Sequence, residues 1–182
     1  MEFRIRKATL DDADSIARVH VESWQTTYAG VIPQAYLDSL SIDARAQNWR
    51  QHLTAADPLM VVAEDASQVF GFACGGKQRD PSFAYDGELY AIYLLRAWQR
   101  QGIGRALARA VALDLQSRSF RSMIVWVLQR NPAVSFYKAL GGVRVGEKPI
   151  EIGGARLTEV AFGWPSLAAL APDSTGAVTG QG

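Results

Sequence analysis

Trp98-Gln99-Arg100-Gln101-Gly102-Ile103-Gly104-Arg105 stands between an apolar segment, residues 89–95, and an amphipathic one, residues 103–115. The order reads as strand, glycine turn, helix. Such a junction gathers unpaired backbone N–H groups and the positive end of a helix dipole at one point. Gly102 and Gly104 let a bulky anion approach the backbone, and Arg100, Arg105 and Arg109 supply compensating charge. The stretch predicts a docking point for a ligand that carries phosphate.

Upstream, residues 2–8 alternate apolar and charged and read as a strand. Thr9 and Asp12 form a capping-box pair before a helical stripe of Ala13, Ile16, Ala17, His20 and Trp24. Pro33 opens a short helix through Leu40, and Ser41 caps a third that runs to about Leu53. Residues 59–64 and 69–73 flank Asp65-Ala66-Ser67-Gln68 as a hairpin. Downstream, the helix after the glycine turn runs to about Ser117, and residues 123–128 are an apolar run suited to a strand buried on both faces. Asn131-Pro132 starts a further helix that Gly141-Gly142 ends. Residues 143–152 and 155–164 are strands joined at Gly153-Gly154, a two-residue hairpin turn. Hairpins and strand–helix–strand crossovers in one chain predict a mixed sheet.

At 182 residues the chain suits one domain, expected over 1–164, with 48% hydrophobic and 20% charged residues. After Pro165 the composition shifts to Ala, Gly, Ser, Thr and Pro, which predicts a flexible tail over 165–182. A net charge of +1 argues against a nucleic-acid partner. No stretch approaches the roughly 20 apolar residues that span a bilayer, so no membrane partner is expected. The single cysteine, Cys74, lies in an apolar run and reads as a core residue. With no signal peptide at the N-terminus, this favours the cytoplasm. His20 and His52 lack neighbours at metal-ligand spacing, so no metal is expected.

Three patterns compete for the glycine turn. A Walker loop needs G-x-x-x-x-G-K-[ST], a string the chain lacks. A dinucleotide fold needs G-x-G-x-x-G after the first strand, and here Gly104 is followed by Arg105-Ala106-Leu107 deep in the chain. The third, [Q/R]-x-x-G-x-[G/A], is met at every fixed position by Gln99-Arg100-Gln101-Gly102-Ile103-Gly104. With Phe136-Tyr137-Lys138-Ala139-Leu140-Gly141-Gly142 downstream, the chain resembles the GNAT superfamily of N-acetyltransferases over about residues 3–164. The resemblance implies an α/β (α+β) fold. Its centre is a mixed, mostly antiparallel sheet of about seven strands, with helices on both faces and a splayed parallel pair at the cofactor site.

The same resemblance implies acetyl-CoA as cosubstrate, its diphosphate held by the backbone N–H groups of Gln101, Gly102, Ile103, Gly104 and Arg105, with Arg100 alongside. Ile92, Tyr93 and Leu94 are the implied contacts to the pantetheine arm, and Leu94 N–H the implied oxyanion donor. Tyr137 matches the family's general acid, and as a residue of a short amphipathic helix it also reads as a core aromatic. The family's Asn-x-x-Ala-x-x-Phe-Tyr string would put asparagine at position 130. That position is Arg130, and Asn131 comes one residue late, open both as a cofactor contact and as a helix cap. Arg96 stands where a proline is frequent, adding a cation beside the cofactor mouth.

An acceptor amine must lose a proton before it attacks, and a nearby carboxylate is the usual base. The resemblance points to Glu88 at the start of the strand that reaches the thioester, a position that equally reads as a solvated strand end. Glu22 and Glu159 are secondary candidates. The acceptor pocket is implied between the first two helices, in Trp24-Gln25-Thr26-Thr27-Tyr28-Ala29-Gly30-Val31-Ile32-Pro33, with Trp24 and Tyr28 as candidate amine contacts. Trp24 also continues the apolar stripe of its helix. The expected reaction is acetyl transfer to a small-molecule amine or amino acid. The alternatives are a non-catalytic acyl-CoA-binding module and transfer to a protein N-terminus or lysine. A homodimer is implied only by the family's habit.

Overall fold

Leu59–Glu64, the strand β2, is buried along its whole length, as a strand covered on both faces must be. It lies inside a seven-stranded sheet of order β1-β2-β3-β4-β5-β7-β6 in a computed structural model that describes residues 2–55 and 58–170. The other strands are β1 (Arg4–Lys7), β3 (Val69–Lys77), β4 (Gly87–Leu94), β5 (Met123–Leu128), β6 (Val143–Ile152) and β7 (Ala155–Trp164). The helices are α1 (Ala13–Thr27), α2 (Gln34–Asp38), α3 (Ile42–Leu53), α4 (Ile103–Ser117) and α5 (Ala133–Ala139). All pairings in the sheet are antiparallel except β4 with β5. The mixed sheet expected from the sequence is therefore present.

The local signals act as their chemistry predicts. Thr9 N–H donates to the Asp12 carboxylate at 2.7 Å ahead of α1, and Ser41 Oγ accepts from Ala44 N–H at the start of α3. Asp65 ties the β2–β3 turn by accepting from the N–H groups of Ser67 and Gln68. Gly153 and Gly154 both take positive φ, the conformation that a two-residue hairpin turn requires.

Two apolar layers hold the sheet. On one face α4 buries Ile103, Leu107, Val111 and Leu115, and α5 adds Tyr137 and Leu140, against Leu89, Val125, Phe162 and Trp164. On the other, α1 sets Ile16 and Val19 against Met60, Val62 and Phe72. A third cluster joins Tyr28, Ile32, Leu37 and Leu128 to Ile150, Ile152 and Leu157 of the β6–β7 hairpin.

The core runs past the expected boundary at 164. Leu167 and Leu170 are buried in the α4 layer, and Leu167 N–H donates to Arg121 O at 2.8 Å. Two leucines at helical spacing are enough to anchor a segment whose composition is otherwise that of a tail. The remainder of the expected tail, 171–182, lies outside the described residues.

A single irregularity opens the sheet. Cys74 pairs with Ala91 but Gly75 pairs with Leu89, so Tyr90 is an extra residue in β4. The bulge resets the alternation: Leu89, Ile92 and Leu94 all join the α4 layer, while Ala91 and Tyr93 face α1. β4 pairs with β5 only over Gly87–Met123, Glu88–Ile124 and Leu89–Val125. Beyond the bulge the two strands part.

Candidate active site

The parted strands and the start of α4 frame a groove of about 600 Å³. Gly102 caps α4 with φ +83°, and Arg100 before it also lies in the left-handed region at +64°. The first hydrogen bond of the helix runs from Ala106 N–H to Gly102 O. Among the described residues, the backbone N–H groups of Gln101, Gly102, Ile103, Gly104 and Arg105 have no acceptor. Arg96, Arg100 and Arg105 line the groove beside them. Arg109, one turn further on, is not part of the lining.

The two glycines serve different ends. At Gly102 a Cβ would meet nothing within 4 Å, so the requirement is its positive φ. At Gly104 a Cβ would press on the Phe136 ring at 3.2 Å. Its absence lets α5 close on α4, which makes Phe136 a wall of the groove.

The strand side follows from the ladder. Leu95 N–H donates to Phe70 O at 2.9 Å, so Leu95 and Tyr93 turn their amides toward β3. By alternation Ile92 and Leu94 turn theirs toward the edge that β5 has left. The side chain of Gln99 donates to Leu94 O at 3.0 Å and ties the glycine turn to this strand. Ile92, Tyr93 and Leu94 all line the groove.

The opposite wall comes from the expected stretch of α1, but from other side chains in it. Ser23, Thr26 and Thr27 of α1 line the groove, whereas Trp24 and Tyr28, expected to do so, turn into the apolar cluster behind it. Both rings still connect to the groove. Trp24 Nε1–H donates to the Tyr93 hydroxyl at 2.8 Å, and Asn131 Nδ2–H donates to the Tyr28 hydroxyl at 2.9 Å. Asn131 Oδ1 accepts from Ala133 N–H at 2.8 Å at the start of α5, and the residue lines the groove. Tyr137 is 4% exposed, its ring among Phe136, Phe162 and Trp164. Burial, with a smaller contribution from Tyr28, pushes its phenol well above the ordinary value. Burial raises Tyr28 to about 12, against the hydrogen bond from Asn131.

The carboxylates separate sharply. Glu88, expected as the base, is 2% exposed and holds Arg79 through the backbone N–H at 3.1 Å, Nε at 3.2 Å and Nη2 at 2.5 Å. It is not a solvated strand end, because both of its carboxylate oxygens are bonded to Arg79. Glu22 is on the outer surface of α1, 3.6 Å from Arg18. Glu159 is half-buried on β7, and burial raises its pKa. Cys74 is buried with its thiol pushed up to about 12, as befits a core residue. No cluster of three or more His, Cys, Asp or Glu side chains able to hold a metal occurs among the described residues.

A seven-stranded mixed sheet that splits at its one parallel pair, with a helix start at the mouth of the split, defines a recognised class. Residues 18–141 match the acetyltransferase (GNAT) family, and the chain belongs to it. It is 46% identical over 166 residues to an uncharacterized N-acetyltransferase, YuaI, of Bacillus subtilis (strain 168), covering 91% of this chain and 95% of that one. Two solved structures share the fold. PaiA N-acetyltransferase from Thermoplasma acidophilum, in complex with coenzyme A, is 22% identical with a TM-score of 0.65, covering 88% of this chain and 98% of its own. YncA from Salmonella typhimurium, with its cofactor acetyl-CoA, is 20% identical with a TM-score of 0.70, covering 92% and 95%. No helix among the described residues is long and apolar enough to cross a membrane.

Proposed function

We propose that the protein transfers an acetyl group from acetyl-CoA to the primary amine of a small molecule or amino acid, by direct attack of the amine on the thioester. The observation that carries this reading is the set of five unsatisfied backbone amides at the start of α4, facing a cleft between parted strands. A diphosphate satisfies those amides and the dipole behind them, with Arg96, Arg100 and Arg105 as counter-charge. The pantetheine arm then lies along the edge of β4 and takes the backbone groups of Ile92 and Leu94 as a strand would. The coenzyme A and acetyl-CoA in the two solved relatives support the same donor.

With the arm in that gap, Leu94 N–H is aimed at the thioester carbonyl, where negative charge grows as the amine adds. One fixed donor of this kind is worth about 2.7–4 kcal/mol of barrier. Collapse of the tetrahedral intermediate breaks the C–S bond and releases coenzyme A as a thiolate, a leaving group that needs little help. Tyr137 gives the departing sulfur a hydrogen bond and keeps its own proton, because burial has made the phenol a weak acid. On the α1 side of the groove, Thr26 and Thr27 are the residues that meet the acceptor.

The test is thiol release from acetyl-CoA, followed with a thiol reagent across a panel of primary amines and amino acids. Amine-dependent release with an acetylated product supports the reading. Tight binding of coenzyme A with no turnover on any acceptor replaces it with a binding module.

A further inference from the structure

Glu159 is a carboxylate without a counter-ion. Among the described residues it accepts no hydrogen bond and forms no ion pair, although it is half-buried and two cations stand close by. Its cross-strand partner on β6 is Lys148, the neighbour with which an antiparallel pair ordinarily forms an ion pair. Lys148 instead lies over the Trp126 indole, with its Nζ 3.9 Å from the ring centroid. Arg79, from the segment between β3 and β4, is taken by Glu88. Each cation that would neutralise Glu159 is held elsewhere. A partly desolvated charge left in this state gains strongly from any cation that reaches it.

The position points to the acceptor. On β7, Val160, Phe162 and Trp164 face the α4 layer, so Glu159 faces the other way, with Leu157 and toward Tyr28. It is in register with Leu128 at the end of β5, three residues before Asn131 on the lip of the groove. Tyr28, whose hydroxyl accepts from Asn131 Nδ2–H, packs with Leu128 of β5 and Leu157 of β7 just behind the lining of the groove. The charged and titratable groups that face Glu159 are Lys148 from β6, Glu88 from β4, Arg79 from the β3–β4 segment and Tyr28 from the end of α1.

We infer that Glu159, and not Glu88, receives the ammonium group of the acceptor and takes its proton. This rests on the acetyl-transfer reading given above. An N–H bond of the ammonium breaks and its proton passes to a carboxylate oxygen of Glu159. The freed lone pair attacks the thioester carbon, the C–S bond breaks, and the second nitrogen proton ends on the coenzyme A sulfur. Glu159 then returns its proton to solvent. A half-buried acid with a raised pKa is better matched to an amine than an ordinary carboxylate.

The experiment is a pH titration of protein labelled with carbon-13 at the glutamate carboxyls, with E159Q and E88Q used to assign the two resonances. n-Butylammonium is the probe and sodium butyrate the control, with and without saturating coenzyme A. The Glu159 midpoint is expected to fall by about 1 pH unit with the amine, as for a carboxylate that gains a cation within contact range, and to stay put with butyrate. E159Q is expected to bind coenzyme A as the wild type does. A Glu159 midpoint indifferent to the amine, or movement of the Glu88 resonance alone, overturns the assignment. Loss of the acetyl-transfer reading would show separately, as absence of amine-dependent thiol release from acetyl-CoA, and the amine titration of the free protein would still decide the role of Glu159.

Discussion

Trp24 Nε1–H donates to the Tyr93 hydroxyl at 2.8 Å and so joins the first helix to the strand that borders the groove. Burial holds the pKa of the Tyr93 phenol far above the ordinary value, and the indole is its hydrogen-bond partner. Removing either side of this bond strands the other. Trp24→Phe and Tyr93→Phe should each cost about 1–3 kcal/mol, since a buried polar group is left unpaired. For a chain of this size that is a fall of about 2–4 °C in Tm per kcal/mol. The double variant should lose less than the sum of the two, and calorimetry on all four proteins measures the coupling. Strict additivity would mean that the two groups do not interact.

Gly102 separates backbone conformation from charge. Its φ of +83° costs a residue with a Cβ about 1–2 kcal/mol, while nothing lies within 4 Å to clash with that Cβ. Gly102→Ala should therefore weaken coenzyme A binding by roughly tenfold, as about 1.4 kcal/mol does. Gly102→Glu adds a negative charge against the diphosphate and should abolish binding. Calorimetric titration with coenzyme A reads both, and unchanged affinity in the glutamate variant would detach the diphosphate from this turn.

Much of the architecture is legible along the chain because its signals are local and redundant. β5 is one apolar run, α4 has a glycine start and an unbroken stripe, and the hairpin at Gly153-Gly154 is written in two residues. The site is less legible, for three physical reasons. The Tyr90 bulge inverts the alternation of β4, so no count from Glu88 predicts which face Ile92 and Leu94 take. Ser23 resembles an ordinary helix residue until the parted strands supply the opposite wall. The fates of Glu88 and Glu159 depend on where Arg79 and Lys148 go, and those are long side chains with a choice of partners. Leu167 and Leu170 sit in a segment whose average composition hides them.

Tyr137→Phe isolates the hydrogen bond to the leaving sulfur. The ring stays packed among Phe136, Phe162 and Trp164, so the core is kept while the hydroxyl goes. One hydrogen bond of about 1 kcal/mol corresponds to a fall in turnover of about fivefold. KM for acetyl-CoA should change little, because the bond strengthens only as the thiolate forms. A steady-state comparison of kcat and KM decides it. An unaltered kcat would confine Tyr137 to packing.

His20 makes the fold sensitive to acid. Its ring stacks on Tyr93 at 4.9 Å among Trp24, Trp49 and Phe72, and neither nitrogen has a hydrogen-bond partner among the described residues. Burial, reinforced by Arg45, pushes its pKa from 6.5 down to about 3. The unfolded chain therefore takes up a proton below about 6.5 that the folded protein refuses until about 3, so stability falls as pH drops through that window. Between pH 6.5 and pH 5 the loss should be about 1–2 kcal/mol. His52, shifted in the same direction, contributes to the same slope. His20→Leu keeps an apolar filler and leaves His52 in place, so the difference in slope belongs to His20. Urea unfolding across this range should show the midpoint falling more steeply with acid in the wild type than in the variant. Parallel slopes would mean that His20 finds a way to be protonated inside the fold.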